Sequence, residues 1–328
     1  MRHSKTGLIP VPEAFTNAIS NMHLSLSRFR AHIELLRPPL AAMDLAMPAA
    51  SALLAVYAVE GRLPPFLPFL AVVVGAYCAI TSSYVYNDCC DIDVDRIAMP
   101  NRPLPSAKLG KREAQAWSLF LFLVAAAVAF SLNPESLVAL IAATLLITIY
   151  SAWAKRNTPF SWIFVGLSFG MVPLGVWLAM EPAGLLRAGS GLHPGSLILA
   201  AMIGITDWGF TNCDASRDVA GDKEEGIPTL PATYGIPATA KMVAVFWLIG
   251  VLLSLLLGLS ADLGWLYFFI AVIAGGSQIR QTLDFVRHPT AKRGDMLFYQ
   301  SANYRAVLFV AIIVDVLLKT ILPMSNGL

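Results

Sequence analysis

Six aspartates fall in two clusters whose spacing follows the helical turn. Asp88, Asp91 and Asp95 stand at i, i+3 and i+7, and Asp214, Asp218 and Asp222 at i, i+4 and i+8. Either spacing stacks three carboxylates on one helix face, while Asp93 points elsewhere. Like charges stacked this way repel, and a bound cation removes the penalty. An oxygen-only donor set suits Mg²⁺, which keeps several waters and takes phosphate oxygens as further ligands. Basic residues accompany both clusters: Arg96 and Arg102 follow the first, Lys223 follows the second, and Lys155-Arg156 close a separate apolar run. Their ammonium and guanidinium groups are natural phosphate donors. Taken singly, each of these cations is explained as well by membrane topology. Asn87 and Asn212 each precede a cluster, a faint internal repeat. Gly221 is expected to bend the chain just before Asp222.

The elements that position these groups are apolar. Of 328 residues, 57% are hydrophobic and 13% charged, and the mean hydropathy is +0.66. That balance implies an integral membrane protein, and the net charge of +2 says nothing about partners. Four cysteines lack CxxC spacing and read as reduced thiols, and five histidines form no metal-ligand pattern. Residues 1–36 lack the apolar core and cleavage site of a secretory signal. Residues 12–36 read as an amphipathic helix in the membrane interface, with Phe15, Ile19, Met22, Leu26, Phe29, Ile33 and Leu36 on one stripe. A soluble helix packed on cytoplasmic loops is the plainer alternative. Residues 1–37 therefore form an N-terminal segment, and 38–328 the membrane domain.

Nine apolar runs follow, predicted as spanning helices at Leu40–Val59, Pro65–Tyr86, Ala114–Leu132, Ser136–Ala154, Phe160–Met180, Pro194–Cys213, Ala238–Leu259, Leu263–Ile279 and Tyr304–Leu322. With connections on alternate sides, twenty of the 23 basic residues share one side; Arg62, Arg187 and Lys319 lie opposite. The positive-inside rule then places the N-terminus and both aspartate clusters in the cytoplasm. Asp44 and Asp207 fall inside helices, where charge is costly and a functional or paired role is the default. They are read as lining an acceptor pocket, or as pairing with each other or with polar neighbours. Asp315 and Lys319, at i, i+4, are expected to pair with one another.

These motifs carry a resemblance. Asn87-Asp88-x-x-Asp91-x-x-x-Asp95, continued by Arg96 and Asn101-Arg102-Pro103, resembles the first signature of the UbiA superfamily of intramembrane prenyltransferases. Asp214-x-x-x-Asp218-x-x-x-Asp222, running into Gly226-Ile227-Pro228, is similar to the second, and Tyr150 followed by Lys155-Arg156 to the end of that family's fourth helix. Cys89-Cys90 departs from the aromatic pair common in the first signature. The resemblance implies nine helices around a central cavity open to lipid, two or more Mg²⁺ ions on the six aspartates, and a bound prenyl diphosphate. It implies loss of diphosphate and attack by a lipophilic acceptor on the allylic cation. On that reading Asp91, Asp218, Lys155 and Tyr150 are catalytic, Tyr150 shielding the cation. Asn87, Arg96, Arg102, Lys155, Lys223 and Asn212 hold the diphosphate. Within the family the Arg217–Lys223 pattern looks more like the lipid-ether and chlorophyll branches than the aromatic one. Two rivals are a terpene cyclase on the same scaffold, acting without acceptor, and a membrane transporter built on Asp44 and Asp207.

Overall fold

The apolar runs fold as helices whose ends coincide with proline, glycine and asparagine signals. The computed structural model describes residues 13–184 and 191–321. Helix α1, Glu13–Leu35, stops ahead of Pro38-Pro39, because proline cannot donate to the helical ladder. Arg37 adopts a left-handed φ of 52°, and one tight turn, Pro38–Leu40, leads into α2, Ala41–Glu60. Gly61, at φ 68°, closes α2 by donating its N–H to the Tyr57 carbonyl. Helix α3, Phe66–Cys90, gives way at Asp91 to the short α4, Ile92–Ala98. After α5, Lys111–Leu132, the Asn133 side chain caps α6, Pro134–Ile149, by accepting from Glu135 N–H. A π-helical turn, Tyr150–Ala154, and the short α7, Lys155–Asn157, continue α6. The remaining helices are α8 (Trp162–Met180), α9 (Pro194–Glu224), α10 (Leu230–Tyr234), α11 (Ile236–Ser260), α12 (Trp265–Arg287) and α13 (Ala291–Ile321).

Among the described residues, nine long helices follow Arg37 at the positions of the nine apolar runs. Six of them are long and apolar enough to cross a membrane; α9, α12 and α13 are the more polar three. The ends differ from expectation. Helix α9 continues to Glu224 rather than stopping at Cys213, so the second aspartate cluster lies within a helix and Gly221 does not bend it. Helix α13 begins at Ala291, not Tyr304, so Arg305, at the edge of the predicted run, is buried well inside it. Hydropathy marks where apolar surface ends, whereas backbone hydrogen bonding carries a helix on into water. Arg2, Lys5 and Arg187 lie outside the described residues.

Helices α8 and α9 cross where Gly166 meets Gly204; a Cβ on Gly166 would lie 2.3 Å from the Gly204 carbonyl oxygen. Such small-residue contacts let helices approach where no hydrophobic force drives them together. Trp177, Trp247, Tyr267, Phe285 and Phe309 fill the core, while Leu67, Phe130, Leu259 and Trp265 face outward. Asp44, Tyr84, Asp207 and Arg305 meet between α2, α3, α9 and α13. A cavity of about 390 Å³ lies between α3, α5, α6 and α8. Helix α1 is tied to α5 by Arg28–Glu113 at 2.6 Å and by His32 against Trp117. It leaves Met22, Leu26, Phe29 and Ile33 exposed; the side chains of Phe15 and Ile19 lie outside those described.

Candidate active site

Three helix ends deliver the charged groups to one place. Helix α4 packs on α9 at Gly221, where a Cβ would come within 3.2 Å of both Val94 Cγ1 and the Val94 carbonyl oxygen. That bare backbone lets the turn carrying Asp95 sit against the turn carrying Asp218 and Asp222. The π-helical turn between α6 and α7 aims two residues at α3. Ser151 Oγ donates to Asn87 Oδ1 at 3.0 Å, and Lys155 Nζ donates to Asp91 Oδ2 at 2.7 Å. Such turns are frequent at functional sites because the extra residue re-aims neighbouring side chains.

The first cluster is held by four donors. Arg37 Nη2 reaches Asp88 at 2.8 Å, and Arg102 Nη1 reaches Asp95 at 2.8 Å and Asp88 at 3.4 Å. Asn87 donates to Asp91 at 2.8 Å. In the second cluster Arg217 bridges Asp214 at 2.6 Å and Asp218 at 2.8 Å, and Thr229 donates to Asp222 Oδ2 at 2.8 Å. Tyr150, Lys155, Asn212, Asp214, Asp218 and Asp222 line one small cleft, and Lys155 links it to Asp91 of the first cluster. Five of the six carboxylates are no more than 7% exposed; Asp214 is half-buried. Asp93 does point away, to Arg156 at 2.8 Å.

The electrostatics follow from burial. Burial pushes the Asp95 carboxyl up to about 6, against the pull of Arg102. Partial burial also raises Asp93, but hydrogen bonds from Arg156 and the Val94 N–H outweigh it and hold that carboxyl below its ordinary value. Among the described residues, no three acidic, histidine or cysteine side chains gather within reach of one ion. Cations stand between the carboxylates instead. Three buried carboxylate oxygens of the clusters have no hydrogen-bond partner: Asp91 Oδ1, Asp222 Oδ1 and Asp214 Oδ1, the last held by Arg217 as an ion pair without hydrogen-bond alignment. An unsatisfied carboxylate oxygen on either side, with oxygen donors throughout, fits a hard divalent cation such as Mg²⁺.

Other assignments change. Arg96 and Lys223 are exposed and are not drawn into the cleft. Arg37, Arg217, Ser151 and Thr229 are the residues that sequence reasoning left out. Arg217 stands at i+3 from Asp214, a pairing the helical spacing could have revealed. Arg37 carried no signal beyond its place before two prolines. Asp44 does not pair with Asp207; it meets Tyr84, and Asp207 meets Arg305. Asp315 accepts from the Gly264 N–H and Lys319 contacts Asp262, so the expected i, i+4 pair is replaced by two links to the α11–α12 turn.

An all-α bundle with carboxylates and cations interleaved at one end, and apolar helices around them, defines a membrane protein equipped to hold a polyanion beside hydrocarbon. The chain belongs to the UbiA prenyltransferase family, whose profile matches residues 46–311; it is an integral membrane prenyltransferase. It is 27% identical over 247 residues to digeranylgeranylglyceryl phosphate synthase of Thermococcus sibiricus, covering 75% of this chain and 83% of that one. It is 28% identical over 298 residues to protoheme IX farnesyltransferase of Desulforudis audaxviator, covering 88% and 89%. In fold it resembles a UbiA homolog from Aeropyrum pernix K1, with a TM-score of 0.68, 19% identity and coverage of 84% and 97%. It likewise resembles a UbiA homolog from Archaeoglobus fulgidus bound to GPP and Mg²⁺, with a TM-score of 0.56, 16% identity and coverage of 86% and 99%.

Proposed function

We propose that this protein transfers an isoprenoid chain from a prenyl diphosphate to a lipophilic acceptor within the membrane, and that it requires Mg²⁺. The carrying observation is the cleft where Lys155, paired with Asp91 of the first cluster, borders the second cluster that Arg217 holds, with Asp91 Oδ1 and Asp222 Oδ1 left unpartnered. Asp91 and Asp222 would hold the metal foremost, with Asp88, Asp95, Asp214 and Asp218 released to it as the diphosphate draws off their guanidinium partners. Bound Mg²⁺ supplies charge neutralisation to the departing diphosphate. Arg37, Arg102, Lys155 and Arg217 hold the diphosphate oxygens, Asn87 and Ser151 fix Asp91, and Asn212 borders the cleft. Tyr150 covers the reacting end of the donor and keeps water from it. The apolar cavity between α3, α5, α6 and α8 takes the isoprenoid tail; its α6 wall ends at Thr148, just before Ser151 and Lys155.

All nine long helices cross the membrane, with the N-terminus and the cleft on the cytoplasmic side, where basic residues concentrate. Residues 1–37 form the interfacial segment, Met22, Leu26, Phe29 and Ile33 facing lipid headgroups. The test is purified protein in proteoliposomes with geranyl diphosphate, with and without Mg²⁺ and acceptor. Mg²⁺-dependent diphosphate release and a prenylated acceptor are expected. A terpene formed without acceptor would replace this reading with the cyclase one, and no donor consumption at all would remove both.

A further inference from the structure

Four buried polar side chains beneath the cleft have no part in holding the donor. Asp44 of α2, Tyr84 of α3, Asp207 of α9 and Arg305 of α13 meet among apolar helices, none more than 7% exposed. The Tyr84 hydroxyl donates to Asp44, lying 3.1 and 3.2 Å from its two oxygens. Among the described residues it is the one donor that carboxylate has, although a carboxylate can accept about four. Arg305 lies 3.3 Å from Asp207 Oδ2 as an ion pair without hydrogen-bond alignment, and donates to Thr206 Oγ1 at 2.8 Å. Arg305 Nε and Asp207 Oδ2 lack any hydrogen-bond partner. Asp207 thus rests on one imperfectly aligned guanidinium, and among the described residues Asp44 has no cation in contact, at a depth where an unmatched charge is costly. Cementing four helices needs no such group, since apolar side chains of similar volume pack as well or better.

Position supplies the use. Tyr84 precedes Asp88 by one turn of α3, and the Arg37 guanidinium that binds Asp88 lies 4.7 Å from the centre of the Tyr84 ring. Through the Tyr84 hydroxyl, Asp44 therefore sits on the membrane side of the diphosphate end, the side from which a lipophilic acceptor arrives. Arg37 above, Tyr77 and Tyr84 on α3, Asp207 on α9 and Arg305 on α13 are the charged and titratable groups that face it.

We propose that Asp44 is the catalytic proton acceptor for an acceptor bearing a free hydroxyl, with Tyr84 orienting its carboxylate and the Asp207–Arg305 pair positioning the acceptor's polar head. This rests on the prenyl-transfer reading above. The allylic C1–O bond breaks and its electron pair leaves with the diphosphate. The acceptor oxygen forms the new C–O bond to C1, and its proton passes to Asp44.

The test compares wild type, Asp44→Asn and Asp44→Glu in proteoliposomes, using geranyl diphosphate, Mg²⁺ and a monoprenylated glyceryl phosphate with one free hydroxyl. Protection of Asp44→Asn against thermal unfolding by Mg²⁺ and geranyl diphosphate should match wild type. Its kcat should fall about a hundredfold or more, as for loss of a general base, with KM for the acceptor little changed. With Mg²⁺ and donor saturating at every pH, the rise of kcat with pH on the acid side should disappear in Asp44→Asn, and Asp44→Glu should recover part of the rate. Near-wild-type transfer by Asp44→Asn overturns the proposal, as does parallel loss of donor protection and transfer, which marks a structural role. Donor protection of the wild type without transfer to this alcohol overturns the hydroxyl-acceptor assignment. Absence of donor protection in the wild type overturns the prenyl-transfer reading itself.

Discussion

Lys155→Met offers the sharpest test of the cleft. Lys155 and Asp91 form a 2.7 Å pair with side chains 11% and 5% exposed, so solvent screens the interaction little. Methionine keeps most of the stem but removes the charge. Asp91 then retains one neutral donor, Asn87, while its other oxygen is already unpartnered. Removing one member of a buried pair costs about 3–5 kcal/mol, because the remaining charge is left uncompensated. Two consequences separate this cause from simple loss of packing. Adding Asp91→Asn to Lys155→Met removes the stranded charge, so in EDTA the double variant should recover most of the lost stability, a coupling of roughly 3 kcal/mol. Adding Mg²⁺ should stabilise Lys155→Met more than wild type, since the cation takes over the role of the ammonium. Unfolding in detergent micelles, followed by tryptophan fluorescence with EDTA or Mg²⁺, measures both. A single variant as stable as wild type in EDTA, or a double variant no better than the single, refutes the reasoning.

Other outcomes follow from the same geometry. Arg37→Ala should raise KM for the diphosphate donor about tenfold or more, the worth of one charge-assisted hydrogen bond, measured by initial rates. Thr229→Val removes the 2.8 Å donor to Asp222 Oδ2 and should cost about 1–3 kcal/mol in EDTA, with recovery in Mg²⁺, read by the same unfolding assay. Gly221→Leu should push α4 off α9, because a Cβ is already at 3.2 Å from Val94; about 1–3 kcal/mol of overpacking and weaker Mg²⁺ binding are expected in titrations. Burial holds Asp95 at about 6, above its ordinary value, so its protonated form is favoured by folding. In the metal-free protein that stabilisation is complete below the ordinary carboxylate pKa and is lost as pH rises through about 6. Mg²⁺ affinity runs the other way, falling as pH drops through about 6, and Arg102→Met should move that midpoint upward in calorimetric titrations.

Much of the site was legible because helical spacing is a local property. The one-face spacing of Asp88, Asp91 and Asp95 survives the break at Asp91, where the backbone turns only enough to start α4. Asp93 falls off that face in the sequence and pairs with Arg156 in the fold. Arg96 and Lys223 adjoin the clusters in sequence, and adjacency does not set direction: on a helix, a neighbour points about a quarter turn or more away. Arg37 and Thr229 reach the clusters from turns, whose direction depends on a left-handed φ at Arg37 and on the return of the chain after Gly226.

By itself the amino-acid sequence determined the helices, their order, and the two sets of carboxylates, because hydropathy and the 3.6-residue period act over a few turns. Only the tertiary structure decided which cation meets which carboxylate. Arg37 and Asp88 are 51 residues apart, Lys155 and Asp91 are 64 apart, and Arg305 and Thr206 are 99 apart. Such contacts depend on where helices can approach, at Gly166 against Gly204 and at Gly221 against Val94, and on how far α9 and α13 extend beyond their apolar spans. Side-chain volume at the crossings sets those distances, and a hydropathy pattern carries no record of which helix lies opposite.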